Sequence, residues 1–144
     1  MNKNCKGERR MKVFLGGTCS GWKWRNKFQK MLKCDYYNPM THGWNEKDRQ
    51  KEVYERKTAD YVVYGITKGI KGVYSIAELI DDANKRPEKT IFLNLYDGDA
   101  IVHDLKAVEN LCKDNGIAKV FTGKNAMQEA ADFLNSMNAR LNKK

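Results

Sequence analysis

The strongest constraint on the fold is an alternation of two periodicities along the chain. Short apolar runs end at or near glycine, asparagine or proline, and most are followed by a stretch whose apolar residues recur at helical spacing. The run at 12–17 (KVFLGG) predicts a buried first strand closed by a tight glycine turn. Trp24, Phe28, Met31 and Leu32 then fall at i, i+4, i+7 and i+8, one face of a helix. Residues 34–38 (CDYYN) predict an aromatic strand stopped by Pro39, followed by a loop to residue 45, and the charged stretch 46–57 predicts a helix. The clearest strand is 60–66 (DYVVYGI), followed by a turn at 67–72. Ile76, Leu79, Ile80 and Ala83 give a second amphipathic helix over 74–85, and Pro87 breaks the chain behind it. Residues 90–95 and 118–121 predict two more strands. Leu105, Val108 and Cys112 mark the helix between them, and Met127, Ala130, Ala131, Leu134 and Leu141 mark a closing helix.

Strands alternating with helices predict an α/β fold: a single-domain, flavodoxin-like, doubly wound five-stranded parallel sheet with flanking helices. The 144 residues suffice for one such domain. Residues 1–10 read as a flexible basic tail and 11–144 as the folded domain. In open sheets of this kind ligands bind outside the carboxyl ends of the strands. That rule nominates the loops at 16–21, 38–45, 67–74 and 96–100.

Composition narrows the function classes. No apolar run approaches the roughly 18 residues of a membrane span, and no apolar signal core follows the N-terminus, so a cytoplasmic protein without a membrane partner is expected. Cys5, Cys19, Cys34 and Cys112 have no CxxC or zinc spacing and read as reduced thiols. The net charge of +9 lies wholly within residues 1–33, among them Lys23, Arg25 and Lys27. Such a cluster can attract phosphates or nucleic acid, but it also describes a solvated tail and outer helix face, and no nucleic-acid-binding motif accompanies it. A nucleic-acid partner is therefore not expected.

Three features carry chemistry. Glu78 stands off the Ile76/Leu79/Ile80/Ala83 face, early in a helix that follows a glycine-flanked loop. A helix start favours an ionised carboxylate, which is what a glycosyl-transfer nucleophile requires. The same position also suits a carboxylate that merely complements the helix dipole. Gly16-Gly17-Thr18 forms a turn where backbone can approach a ligand, as it does in many α/β proteins for packing alone. Residues 38–44 (NPMTHGW) bring Asn38, His42 and Trp44 to a strand's carboxyl end, suited to stacking on a base and hydrogen-bonding to it, although a loop histidine is commonly just solvated.

The order VFLGGT, an aromatic strand ending in NP, a loop with a tryptophan, ADYVVYGIT, GVYSIAEL and KTIFLNL resembles the nucleoside 2-deoxyribosyltransferase superfamily, particularly its compact branch. The resemblance spans residues 12–95. It implies cleavage or transfer at the N-glycosidic bond of (deoxy)nucleosides or nucleoside 5′-monophosphates through a glutamate nucleophile and a glycosyl-enzyme. By the resemblance that nucleophile is Glu78, in YSIAEL, and a second carboxylate near the leaving base falls on Glu52, with Glu55 as the neighbouring alternative. Thr18, Ser20, Thr67, Gly69 and Ser75 correspond to groups that bind a 5′-phosphate, and Gly72 and Tyr74 belong to the same loop ahead of Glu78. Relatives often carry a tyrosine on the first strand, where this chain has Phe14; Tyr74 or Ser75 would be the substitute hydroxyl. The resemblance also implies a small-molecule nucleoside or nucleotide ligand, no cofactor or metal, and a homodimer or larger homo-oligomer. A non-catalytic nucleotide-binding module of the same fold is the alternative reading.

Overall fold

A computed structural model describes residues 9–19, 23–40 and 45–142. Five strands and five helices alternate: β1 (Lys12–Gly17), α1 (Trp24–Met31), β2 (Asp35–Tyr37), α2 (Glu46–Thr58), β3 (Tyr61–Ile66), α3 (Tyr74–Lys85), β4 (Thr90–Asn94), α4 (Val102–Asp114), β5 (Lys119–Thr122) and α5 (Ala126–Leu141). The strands form one sheet in the order β2-β1-β3-β4-β5, every neighbouring pair parallel. This is the expected flavodoxin-like α/β domain.

Strand side chains alternate between two cores. Val13, Leu15, Val63, Ile91 and Leu93 point to one face, where α1 supplies Trp24 and Phe28 and α5 supplies Met127, Ala130, Ala131 and Leu134. Phe14, Val62, Tyr64, Ile66 and Phe92 point to the other, against Leu79 and Ala83 of α3 and Leu105 and Cys112 of α4. Strands buried on both faces read as continuous apolar runs, which is why β1, β3 and β4 are legible in the sequence.

Three details differ from expectation. The second strand is shorter than 34–38: Cys34 is a buried core residue before the strand, and only residues 35–37 pair with β1. Asn38 leaves the ladder because its own Oδ1 accepts the Met40 N–H at 3.0 Å, an Asx-type turn. Leu141 is exposed, although it continues the apolar spacing of α5. Sixteen helical residues span about 24 Å at 1.5 Å each, longer than the adjacent strands, and the last turn meets the chain ahead of β1 through Asn138 and Asn142 while Leu141 faces away. Arg25, counted with the solvated basic residues of the first helix, is buried.

Among the described residues, no helix is long and apolar enough to cross a membrane.

Candidate active site

The order β2-β1-β3 reverses the direction of chain winding between β1 and β3, and the crevice at their carboxyl ends is the expected binding position. A cavity of about 300 Å³ lies there, at the small end of the ~300–1,000 Å³ typical of ligand pockets. Its walls come from the end of β1 (Gly16–Cys19), from Pro39 and Met40 after β2, from Asp48, Arg49 and Glu52 of α2, from the loop ahead of α3, and from Tyr74, Ser75 and Glu78.

The β1 turn is built by close packing. A Cβ on Gly16 would lie 2.6 Å from the Tyr64 ring, and one on Gly17 would lie 2.1 Å from the Gly65 carbonyl oxygen. Gly17 also has φ +113°, which side-chain-bearing residues rarely adopt. Arg25 holds this turn from beneath. Its Nε donates to the Leu15 carbonyl at 2.8 Å, Nη1 to Thr18 at 2.6 Å and Nη2 to Gly17 at 3.1 Å. Burial pulls the guanidinium below its usual range, and its neighbours Cys19, Glu52 and Glu78 partly offset that. Arg25→Met removes the guanidinium donors of three buried carbonyls, of which Thr18 keeps a second nitrogen donor, Trp24 Nε1. It is expected to lower unfolding free energy by about 3 kcal/mol, read as a lower urea midpoint at unchanged m-value.

Glu78 and Glu52 face each other across the cavity floor from α3 and α2, their carboxyl groups hydrogen-bonded to one another. Burial pushes the Glu78 carboxyl up to about 7, and the charge of Glu52 adds to the rise, while the Arg56 guanidinium at 3.4 Å opposes it. Two carboxyls in contact cannot both ionise cheaply, so below about pH 7 the pair retains a proton. Glu55, the alternative to Glu52, points elsewhere: it is ion-paired with Lys12 at 2.6 Å.

Of the sequence-predicted residues, Gly16, Gly17, Thr18, Glu52, Gly72, Tyr74, Ser75 and Glu78 meet in this one cavity. Thr18 is largely spent on structure, its Oγ1 accepting the Thr67 N–H at 3.0 Å and its carbonyl accepting from Arg25 and Trp24. Thr67 is buried and does not line the cavity, and its Oγ1 accepts the Gly69 N–H. Asn38 also stays outside, bonded to Gln29 through Nδ2 at 2.8 Å. Tyr74 is on the rim and 63% exposed. His42, Trp44 and Ser20 lie outside the described residues.

The sequence reading missed the layer behind the carboxyl pair. Asp82, fully buried, accepts from the Tyr64 hydroxyl at 2.5 Å, from Arg56 Nε at 3.0 Å and from Arg86. Burial, and then the Asp82 charge, holds the Tyr64 hydroxyl far above the usual phenol range, so it acts as a donor. A signal was present: Asp82 is three residues after Leu79 and next to Ala83, inside the core stripe of α3, and a charge in an apolar stripe requires a partner.

A second cavity, about 540 Å³, lies past the ends of β3, β4 and β5 and takes in Tyr96 and Asp97 of the fourth nominated loop. It is larger, but it is lined by Lys27, Lys68 and Lys124 and holds no paired carboxyls. The carboxyl pair makes the β1/β3 crevice the candidate active site.

No protein-family model matches the chain, and no curated protein matches it.

Proposed function

We propose that the protein cleaves or transfers the N-glycosidic bond of (deoxy)nucleosides or nucleoside 5′-monophosphates, with Glu78 as nucleophile and Glu52 as acid and base. The observation that carries this reading is the Glu52–Glu78 pair, in hydrogen-bond contact at the floor of a ligand-sized cavity at the sheet's switch point. Retaining glycosyl transfer requires two carboxyls and one proton between them. When substrate enters, the shared proton passes to Glu52 and leaves Glu78 anionic. A Glu78 oxygen attacks the anomeric carbon, the bond from that carbon to the base nitrogen breaks, and the base takes the proton from Glu52. Water, deprotonated by Glu52, or the nitrogen of a second base then displaces Glu78, and the pair recovers its proton.

The carboxyl groups of retaining glycosidases stand about 5–5.5 Å apart. Here they touch, so a sugar must part them as it binds. α2 buries none of its residues, which lets Glu52 be the partner that yields.

This scheme fixes a pH dependence. The proton that protonates the leaving base is the one the pair retains below about pH 7. Base release, measured as kcat/KM, is expected to fall as pH rises through about 7; a rate that keeps climbing to pH 9 would contradict the shared-proton scheme.

A second copy of the chain is proposed to complete the assembly, as the family resemblance implies. The exposed Val53 and Tyr54 on α2 and Met40 and Tyr74 at the cavity rim support it. The second reading, a nucleotide-binding module that does not cleave, is favoured by one observation: a Glu78 that holds a proton at neutral pH is a poor nucleophile until that proton leaves.

The test is chromatography of the protein incubated with nucleosides and 5′-monophosphates in ribo and deoxy forms, with and without a second free base. Free base supports a glycosidase, and a new nucleoside supports a transferase. Stoichiometric binding with no turnover would move the assignment to the binding module.

A further inference from the structure

This inference rests on the glycosyl-transfer reading and concerns how the nucleophile is held. Arg56, in the last turn of α2, reaches across to α3 with all three guanidinium nitrogens engaged: Nη2 on Asp81 at 2.5 Å, Nε on Asp82 at 3.0 Å and Nη1 on Glu78 at 3.4 Å. Asp82 cannot yield. It is fully buried, one carboxylate oxygen accepts from Tyr64 as well as Arg56, and Arg86 holds the other. Arg56 is therefore clamped from behind, with one arm left for Oε2 of Glu78. Glu52 makes no such contact: among the described residues no cation is paired with it.

We propose that Arg56 is the positioning residue of the reaction: locked by Asp82 and Tyr64, it fixes one oxygen of Glu78, leaves the other for the anomeric carbon, and stabilises the Glu78 anion when the shared proton passes to Glu52. The charged and titratable groups around Glu78 are Glu52 and Arg56 from α2, Asp81 and Asp82 from α3, Arg25 from α1 and Tyr64 from β3. Of these, Arg56 is the cation that touches its carboxylate. Burial alone would lower the Arg56 guanidinium, but its carboxylate partners, Asp82 and Glu78, more than reverse that and keep it charged. The arrangement also accounts for Phe14, which has no hydroxyl to offer. Its ring lies 6.4 Å from that of Tyr64, on the neighbouring strand, whose hydroxyl reaches the nucleophile at two removes, through Asp82 and then Arg56.

Arg56 also staples α2 to α3, so loss of stability alone would not establish the role. The first readout needs no variant at the arginine. Arginine side-chain NMR signals, followed against pH in the wild-type protein, should show Arg56 titrating with the carboxyl pair near pH 7, and the inflection should vanish in Glu78→Gln. Arg56→Gln should lower kcat about 10- to 100-fold with little change in KM. It should also move the alkaline limb of the profile to higher pH, because the pair gives up its proton less readily without the cation. Arg56→Lys should recover part of the rate and bring the limb back. An Arg56 signal flat across the range, or an Arg56→Gln protein with unchanged kcat and limb but a lower Tm, would overturn the proposal and leave a plain staple. If the wild-type protein releases no base from any substrate, the glycosyl-transfer reading fails by itself, and the arginine titration still decides whether Arg56 holds the Glu78 charge.

Discussion

Glu78→Gln is expected to reduce base release by about 10⁴-fold or more while making the protein more stable at alkaline pH. The loss follows from removing the only group proposed to form the covalent bond; what remains is binding and the proton donor, which support little turnover in nucleophile-based enzymes. The gain in stability follows from linkage. The folded-state pKa of Glu78, about 7, lies above its ordinary value of 4.5. Such a group favours the folded state fully below the ordinary value, and that contribution is lost as pH rises through about 7. The difference is on the order of 3 kcal/mol at 1.36 kcal/mol per unit. Glutamine resembles the neutral acid and carries no such penalty. Thermal melts should show Glu78→Gln close to wild type at pH 5 and clearly above it at pH 8. A variant less stable than wild type at both values would mean that the ionised carboxylate supports the fold, and the role of Glu78 as a strained functional group would fall.

Gly17→Ala is expected to cost about 3 kcal/mol or more in stability, lowering Tm by on the order of 10 °C, and to disable the site together with the fold. The new Cβ would sit 2.1 Å from the carbonyl oxygen and 2.6 Å from the nitrogen of Gly65. Both are backbone atoms of the central strand β3, which pairs on both sides and cannot give way. The φ of +113° adds strain that alanine does not escape. Gly72→Ala is the contrast: its Cβ would meet nothing within 4 Å, and stability should stay within about 0.5 kcal/mol of wild type. Urea denaturation of the two variants separates packing at the β1 turn from a general intolerance of substitution around the cavity.

The parts of the fold that were legible in the sequence are those where burial is uniform. β3 reads as DYVVYGI because both faces of a central parallel strand are covered. α3 and α5 read as helices because one stripe packs on the sheet. β2 was least legible. It is an edge strand of three residues with mostly exposed side chains, and its predicted length rested on aromatic character and the stop at Pro39. The candidate site was legible in part. A carboxylate off the core face of α3 pointed to Glu78, and the four loops nominated at the strands' carboxyl ends include those after β1 and β3 that frame the crevice. Glu52 came from the family resemblance and not from any periodicity, because α2 has almost no apolar pattern to orient it.

Arg25, Asp82 and Glu109 went unread for a common reason. Each lies in or beside an apolar stripe and is buried there, and a hydrophobic pattern passes over charges. Their partners are distant in sequence or on the backbone: the β1 carbonyls for Arg25, Tyr64 and Arg56 for Asp82, and Asn94 for Glu109. Such pairings exist only once the sheet has formed. Arg25 holds the carboxyl end of β1, and Asp82 holds Arg56 behind the carboxyl pair, so two of the three lie next to the proposed chemistry and support a site held rigid around its reacting groups.

The central claim is that Glu78 forms a bond to the sugar. Its most direct test is mass spectrometry of the intact protein after brief incubation with a 2-fluorinated deoxynucleoside or its 5′-monophosphate, whose glycosyl-enzyme breaks down slowly. The expected result is a mass increase equal to the fluorinated sugar or sugar phosphate, carried on the peptide containing Glu78 and absent from Glu78→Gln. Release of free base with no adduct, or with an adduct on another residue, would contradict the account.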